Sequence, residues 1–111
     1  MSKDYKVYLD DIIESTTKIR HFTTEHNLEA LKNDAKTLDA VVRNLVVIGD
    51  AISKIPEDVR QIYPRVEWKK ISGIKAILIH EYYGIDVDII WDIMQNKLPA
   101  LERQAKTILN K

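Results

Sequence analysis

Helical periodicity is the feature of this sequence that most narrows what it can fold into. Apolar residues recur at spacings of three and four along almost the whole chain, which is the pattern of amphipathic α-helices. Only three glycines and three prolines interrupt the pattern in 111 residues. We therefore expect an all-α protein. A chain of this length has room for one hydrophobic core, so residues 1–111 should form a single domain.

Capping residues and helix breakers place the ends of the helices. Asp34 and Asp86 are predicted to cap the two helices that follow them, Pro56 should end the second long helix, and Pro99 should kink the last one. The predicted helices cover about residues 4–24, 28–31, 34–56, 56–63, 68–83 and 86–110. This order predicts an up-and-down four-helix bundle with one or two extra short helices.

Charge and composition exclude several classes of protein. The 17 basic residues balance the 17 acidic residues, so the chain lacks the cationic excess that sequence-independent binding of nucleic acid requires. The absence of cysteine excludes disulfide scaffolds, thiolate metal sites and cysteine nucleophiles. No two histidines have the i, i+3 or i+4 spacing of a helical metal site, so we expect no metal, and we interpret His21 and His26 as surface residues.

Hydropathy predicts the cellular location of the protein. We find no apolar stretch long enough for a signal peptide or a membrane span, because Lys75 interrupts the run from Ile74 to Ile79. We therefore expect a cytoplasmic protein that makes no membrane contact and needs no cofactor.

The segment of residues 68–84 differs from an ordinary core helix. Its isoleucines and its leucine spread over roughly 200° of the helix circumference, and Lys75 and Tyr82 fall inside that apolar arc. Gly73 and His80 lie on the opposite side, where small residues let another helix approach closely. A lysine among isoleucines and a histidine on a tightly packed face are both costly unless they have partners.

The spacing of Lys75 and His80 raises a geometric problem. The two residues are five apart, about 140° around the helix and about 7.5 Å along it, so one regular helix does not bring them to the same face. For both to contact one phosphate, either the helix distorts near His80 or a second chain supplies one group, as a twofold dimer would. The alternative is structural: a hydrogen-bonded core histidine, a lysine whose ammonium reaches water, and tyrosines that only pack.

Several segments, taken in order, resemble one known family. They are Arg43-Asn-Leu-Val-Val-Ile-Gly-Asp-Ala51, Ile55-Pro56, Trp68-Lys-Lys-Ile-Ser-Gly73, Ile79-His-Glu-Tyr-Tyr-Gly-Ile-Asp86 and Trp91. The chain resembles the HepT-like branch of the HEPN proteins over nearly its whole length, and the order and spacing together are hard to obtain by chance. The resemblance implies a helical homodimer and a metal-independent ribonuclease, usually the toxin of a toxin–antitoxin pair whose antitoxin is a minimal nucleotidyltransferase.

The family signature is Arg, four residues, His, one residue, Tyr. The resemblance places His80 on the catalytic histidine and Tyr82 on the tyrosine to which the partner enzyme attaches AMP, with Tyr83 as the competing candidate. Lys75 stands at the arginine position. Lysine keeps the positive charge that RNA cleavage needs at the phosphate but lacks the planar fork of arginine, so we expect weakened or redirected activity.

Three hypotheses follow from these residues. In the first, the chain is a ribonuclease toxin with a His80/Lys75 pair in the dimer cleft, supported there by Arg43, and AMP on Tyr82 neutralises it. In the second, the dimer has weak or no catalytic activity because Lys75 replaces the arginine of the signature, and the chain serves as a binding partner of the nucleotidyltransferase. In the third, it is a helical dimer with no role on RNA.

Overall fold

A computed structural model of the chain describes residues 5–80 and 86–111, and within them every side chain except those of residues 75–80. The helices of the described residues are α1 (Tyr5–Phe22), α2 (Leu28–Lys32), α3 (Ala35–Ser53), α4 (Glu57–Ile62), α5 (Trp68–His80), α6 (Val87–Asn96) and α7 (Leu98–Leu109). The predicted all-α fold is confirmed. The predicted continuation of α5 to residue 83 lies outside the described residues.

The two predicted aspartate caps are confirmed. The Asp34 side chain accepts a hydrogen bond from the backbone N–H of Thr37 at the start of α3. The Asp86 side chain accepts from the backbone N–H groups of Asp88 and Ile89 at the start of α6. Each cap satisfies backbone donors that a helix leaves unpaired in its first turn, and this fixes where the helix begins.

The predicted last helix is divided near Pro99 into α6 and α7, so the prediction of a single helix was wrong, while the prediction that the helix is disturbed near Pro99 was right. The chain breaks at Lys97, between α6 and α7, and Pro99 lies in the first turn of α7. Proline has no N–H, and its ring clashes with the carbonyl four residues earlier. In a first turn neither defect costs a helical hydrogen bond, so a new helix starts there.

The long helices alternate in direction. The Lys54 ammonium, just after α3, lies 5.7 Å from the centroid of the Tyr8 ring near the start of α1. Leu9, Ile12 and Trp68 line one small internal space, so α5 also starts at this end of the bundle. Helix α3 is therefore antiparallel to both α1 and α5. We name the two ends of the bundle the Trp68 end and the His80 end, after the first and last residues of α5.

Helix α7 runs antiparallel to α1 and completes the up-and-down bundle. Arg20 near the end of α1 pairs with Glu102, whereas Ile12 shares an internal space with Ile108 near the end of α7. Helix α2 and the start of α6 meet through an ion pair of Lys32 and Asp88. The largest fully buried side chains are Leu9, Ile12, Ile19, Leu31, Val41, Leu45, Ile48, Ile52, Ile90 and Leu101.

Candidate functional site

Helix α5 carries two of the candidate residues. Lys75 lies in the middle of α5 and His80 is its last residue. The side chains of both, and all of Tyr82 and Tyr83, lie outside the part of the chain that the structure describes. The structure therefore gives the scaffold on which the candidate residues are placed.

The first half of α5 is anchored to the rest of the bundle. The indole N–H of Trp68 donates to the backbone carbonyl of Tyr63 over 3.0 Å, and Ile71 and Ile74 are buried. Glu67, just before the helix, accepts a hydrogen bond of 2.9 Å from Lys97 at the junction of α6 and α7, and this bond is the main reason that the pKa of Glu67 is lowered. These contacts fix the start of α5.

One side of α5 is open. A Cβ added at Gly73 would meet no described atom within 4 Å outside its sequence neighbours and the backbone of its own helix. Ser72 is partly exposed and its hydroxyl donates to the carbonyl of Lys69 in its own helix, while the Lys69 side chain is exposed. Positions 76 and 80 continue the row of positions 69 and 73 at helical spacing. The open side agrees with the prediction from the sequence that a second helix can approach here.

Arg43 is exposed on α3, the helix next to α5. None of the described residues makes a hydrogen bond or an ion pair with its guanidinium. Lys54 and Trp68 lie at the same end of the bundle. Eleven residues, about 16 Å, separate Lys54 from Arg43, and twelve, about 18 Å, separate Trp68 from His80. The Cα atoms of Arg43 and His80 thus lie at nearly the same level along the bundle.

His26 is not a surface residue, and that prediction was wrong. Only 18% of its side chain is exposed, and its Nε2 lies 2.9 Å from the Asp34 carboxylate. Asp34 also accepts from the Thr37 hydroxyl, and these hydrogen bonds, that of Thr37 first, lower the pKa of Asp34 to about 2. His26 therefore joins the segment before α2 to the cap of α3. His21 is exposed, as predicted.

The described residues form neither a metal site nor a membrane-spanning helix. Among residues 5–80 and 86–111, excluding the undescribed side chains, no three His, Asp or Glu residues cluster in a way that could hold a metal ion. No helix in the same part of the chain is long and apolar enough to cross a membrane.

Comparisons with known proteins identify the family. The family model for "Ribonuclease HepT-like" matches residues 12–108. A Methanocaldococcus jannaschii protein named "Putative RNase" is 43% identical over 107 residues, covering 96% of this chain and 88% of the relative. A Thermococcus cleftensis protein named "Probable ribonuclease HepT" is 36% identical over 102 residues, covering 92% and 93%.

A bacterial relative extends the comparison beyond the archaea. A Caldanaerobacter subterraneus protein named "Putative RNase" is 34% identical over 109 residues, covering 98% of this chain and 97% of the relative. No solved structure matches the chain significantly. The match to the family model covers most of the chain, and these relatives share its length and more than a third of its residues. The chain belongs to the ribonuclease HepT-like family, the HepT-like branch of the HEPN proteins.

Proposed function

We propose that the chain is a ribonuclease that cleaves RNA without a metal ion, in a cleft between two copies of α5. The proposal rests on the family match together with the sequence order Lys75, four residues, His80, one residue, Tyr82, in which Lys75 and His80 belong to α5. The relatives' names describe RNases, and this chain has the histidine and the tyrosine of the signature at the expected spacing.

The proposed reaction is a transesterification. His80 accepts the proton of an RNA 2′-hydroxyl, whose oxygen attacks the adjacent phosphorus. The bond from phosphorus to the 5′-oxygen breaks, that oxygen takes up a proton, and a 2′,3′-cyclic phosphate remains. Lys75 stabilises the negative charge that develops on the phosphate oxygens. Histidine suits the first role because its ordinary pKa lies close to neutrality.

A twofold dimer can bring Lys75 and His80 to one phosphate, which a single regular helix does not do. Lys75 and His80 are about 140° apart on α5, so we place Lys75 of one protomer beside His80 of the other. The open side at Gly73, which also carries position 80, supports a close approach of two such helices. Lys75 lies on the other side of α5, so its long side chain has to extend around the helix to reach the partner's His80. The dimer also concentrates positive charge in one groove of a protein with no net charge, and Arg43 adds to that groove.

Tyr82 is the proposed control point. A cognate minimal nucleotidyltransferase, acting as antitoxin in the same cytoplasm, would transfer AMP from ATP: the Tyr82 oxygen bonds to the α-phosphorus and pyrophosphate leaves. The added phosphate next to His80 would repel the phosphate of RNA and block its access. Incubation with that enzyme and ATP should add the mass of AMP to Tyr82, and Tyr82→Phe should abolish the gain. A gain that persists in Tyr82→Phe and disappears in Tyr83→Phe contradicts this assignment.

Cleavage in the presence of a chelator tests the ribonuclease itself. We expect the purified protein to cleave a labelled single-stranded RNA of mixed sequence in EDTA, and His80→Ala to abolish the cleavage. His21→Ala is the matched control, because it also removes an imidazole, and His21 is exposed on α1 and lies outside the signature. Cleavage by His80→Ala at the unmodified rate would refute the assignment.

Lys75 favours one competing proposal, a HepT-like dimer that binds the nucleotidyltransferase and has little or no catalysis. Lys75→Arg separates the two proposals. If RNA is cleaved only by the Lys75→Arg variant, the natural chain is the binding partner. If the natural chain cleaves RNA by itself, it is the enzyme.

A further inference from the structure

The chain has five arginines, all in its described part, and two of them are committed to the bundle. Arg20 pairs with Glu102, a carboxylate with only 10% of its side chain exposed. Arg60 donates to the backbone carbonyls of Ile55 over 3.0 Å and Ile52 over 2.7 Å, near the end of α3. Both guanidiniums therefore already have partners within the bundle.

Two more arginines line a cavity near the start of α5. Arg65 precedes the first residue of α5 by three positions, and it shares with Arg103 a cavity of about 440 Å³. Val66 lines this cavity and also the internal space at the Trp68 end. The length of α5, about 18 Å, therefore separates the Arg65 backbone from the position of His80.

Arg43 is the remaining arginine. It is exposed, its guanidinium has no partner among the described residues, and its Cα lies at the level of His80 on the neighbouring antiparallel helix. Packed helices have axes about 8–10 Å apart, a gap that an extended arginine side chain can span. Within the described part of the chain, Arg43 therefore offers a guanidinium without a partner at the end where α5 carries the signature histidine.

The position of Arg43 could compensate for the lysine that stands at the arginine position of the signature. A guanidinium fork holds two phosphate oxygens at once, whereas the ammonium of Lys75 is a single point of charge. We propose that Arg43 makes the bidentate contact with the scissile phosphate that lysine at position 75 does not make. The inference rests on the proposed ribonuclease function. It assigns to Arg43 on α3 the bidentate phosphate contact that an arginine at position 75 would make.

The test compares arginine-to-lysine substitutions at the two ends of the bundle. Arg43→Lys keeps the charge and removes the fork, and Arg65→Lys is the same chemical change at the Trp68 end. With saturating mixed-sequence RNA, we expect the single-turnover cleavage rate of Arg43→Lys to fall about 10- to 100-fold. Arg65→Lys should cleave like the unmodified chain. Adding Lys75→Arg to Arg43→Lys should restore most of the rate, because a fork returns to the signature position.

A second readout separates a phosphate contact from a structural role. We expect Arg43→Lys to keep the melting temperature of the unmodified chain. Its affinity for the 2′-O-methyl form of the same RNA, which cannot be cleaved by this reaction, should change much less than the rate does. A melting temperature that falls in parallel with the rate would overturn the inference, because the effect would then be structural.

The outcomes distinguish this inference from the proposed function. If Arg43→Lys and Arg43→Ala cleave like the unmodified chain while His80→Ala is inactive, the role of Arg43 is wrong and the ribonuclease stands. If the unmodified chain is inactive and Lys75→Arg is active, Arg43 does not replace the missing fork. If His80→Ala cleaves normally, both proposals fail.

Discussion

The open side of α5 predicts that one substitution changes two stabilities in opposite directions. Glycine inside a helix costs about 0.5–1 kcal/mol relative to alanine, and a Cβ at Gly73 would clash with none of the described residues. Gly73→Ala should therefore raise the free energy of unfolding of the monomer by about that amount. In a dimer packed on this side, the new methyl group enters the contact twice. Overpacking a close contact costs about 1–3 kcal/mol, so the dissociation constant should rise about tenfold or more.

Sedimentation equilibrium measures the dissociation constant of the dimer. Urea unfolding at protein concentrations below this constant measures the free energy of unfolding of the monomer. Gly73→Glu should weaken the dimer further, since the twofold places each carboxylate near its copy. Thr107→Ala on the exposed side of α7 is the control, because it also replaces a poor helix former and should leave association unchanged. If both variants at position 73 associate as tightly as the unmodified chain, α5 does not pack on its copy through this side.

Three predictions concern the bundle. Glu102 has its pKa lowered below its ordinary value of 4.5, chiefly by the hydrogen bond from Arg20, so its contribution to stability is complete above pH 4.5 and declines as pH falls below it. Glu102→Gln should cost about 1 kcal/mol at pH 7 by urea unfolding, and a cost that does not shrink in acid would contradict the role of the ion pair. Asp34→Asn keeps a capping oxygen but loses the charge. Its melting temperature should lie below that of the unmodified chain above pH 3.8, and the difference should close as pH falls through about 2. An equal difference at every pH would contradict a role for the Asp34 charge. Ile48→Ala, at a position only 1% exposed, should cost about 2–5 kcal/mol in urea, whereas a cost below about 1 kcal/mol would mean that the core is packed otherwise.

Local signals explain why most of the fold could be predicted. A cap such as Asp34 or Asp86 acts on backbone N–H groups two or three residues away, so sequence alone contains the relevant partners. Pro99 shows where that reasoning was incomplete. A kink and a new first turn both satisfy the constraints of proline, and the choice between them depends on how α6 and α7 pack.

The candidate site was predictable in identity and only partly in position. The signature names Lys75, His80 and Tyr82 without any structure, and the helical wheel places Gly73 opposite the apolar arc, where the described residues leave room for a Cβ. The level of Arg43 relative to α5 could not be predicted, because it depends on the relative direction of two helices that are separated in sequence. The pairing of His26 with Asp34 was missed for a similar reason: eight residues separate the two, and no helical spacing relates them.

Mixed dimers test the central claim, that each active site takes Lys75 from one protomer and His80 from the other. Lys75→Ala and His80→Ala chains carrying different tags are each assayed as homodimers and then co-expressed and purified as the mixed dimer. Both homodimers should be inactive. The mixed dimer should recover about half of the unmodified activity, because one of the two Lys75/His80 sites in its cleft then holds both native residues. A mixed dimer as inactive as its parents would contradict a site shared between chains.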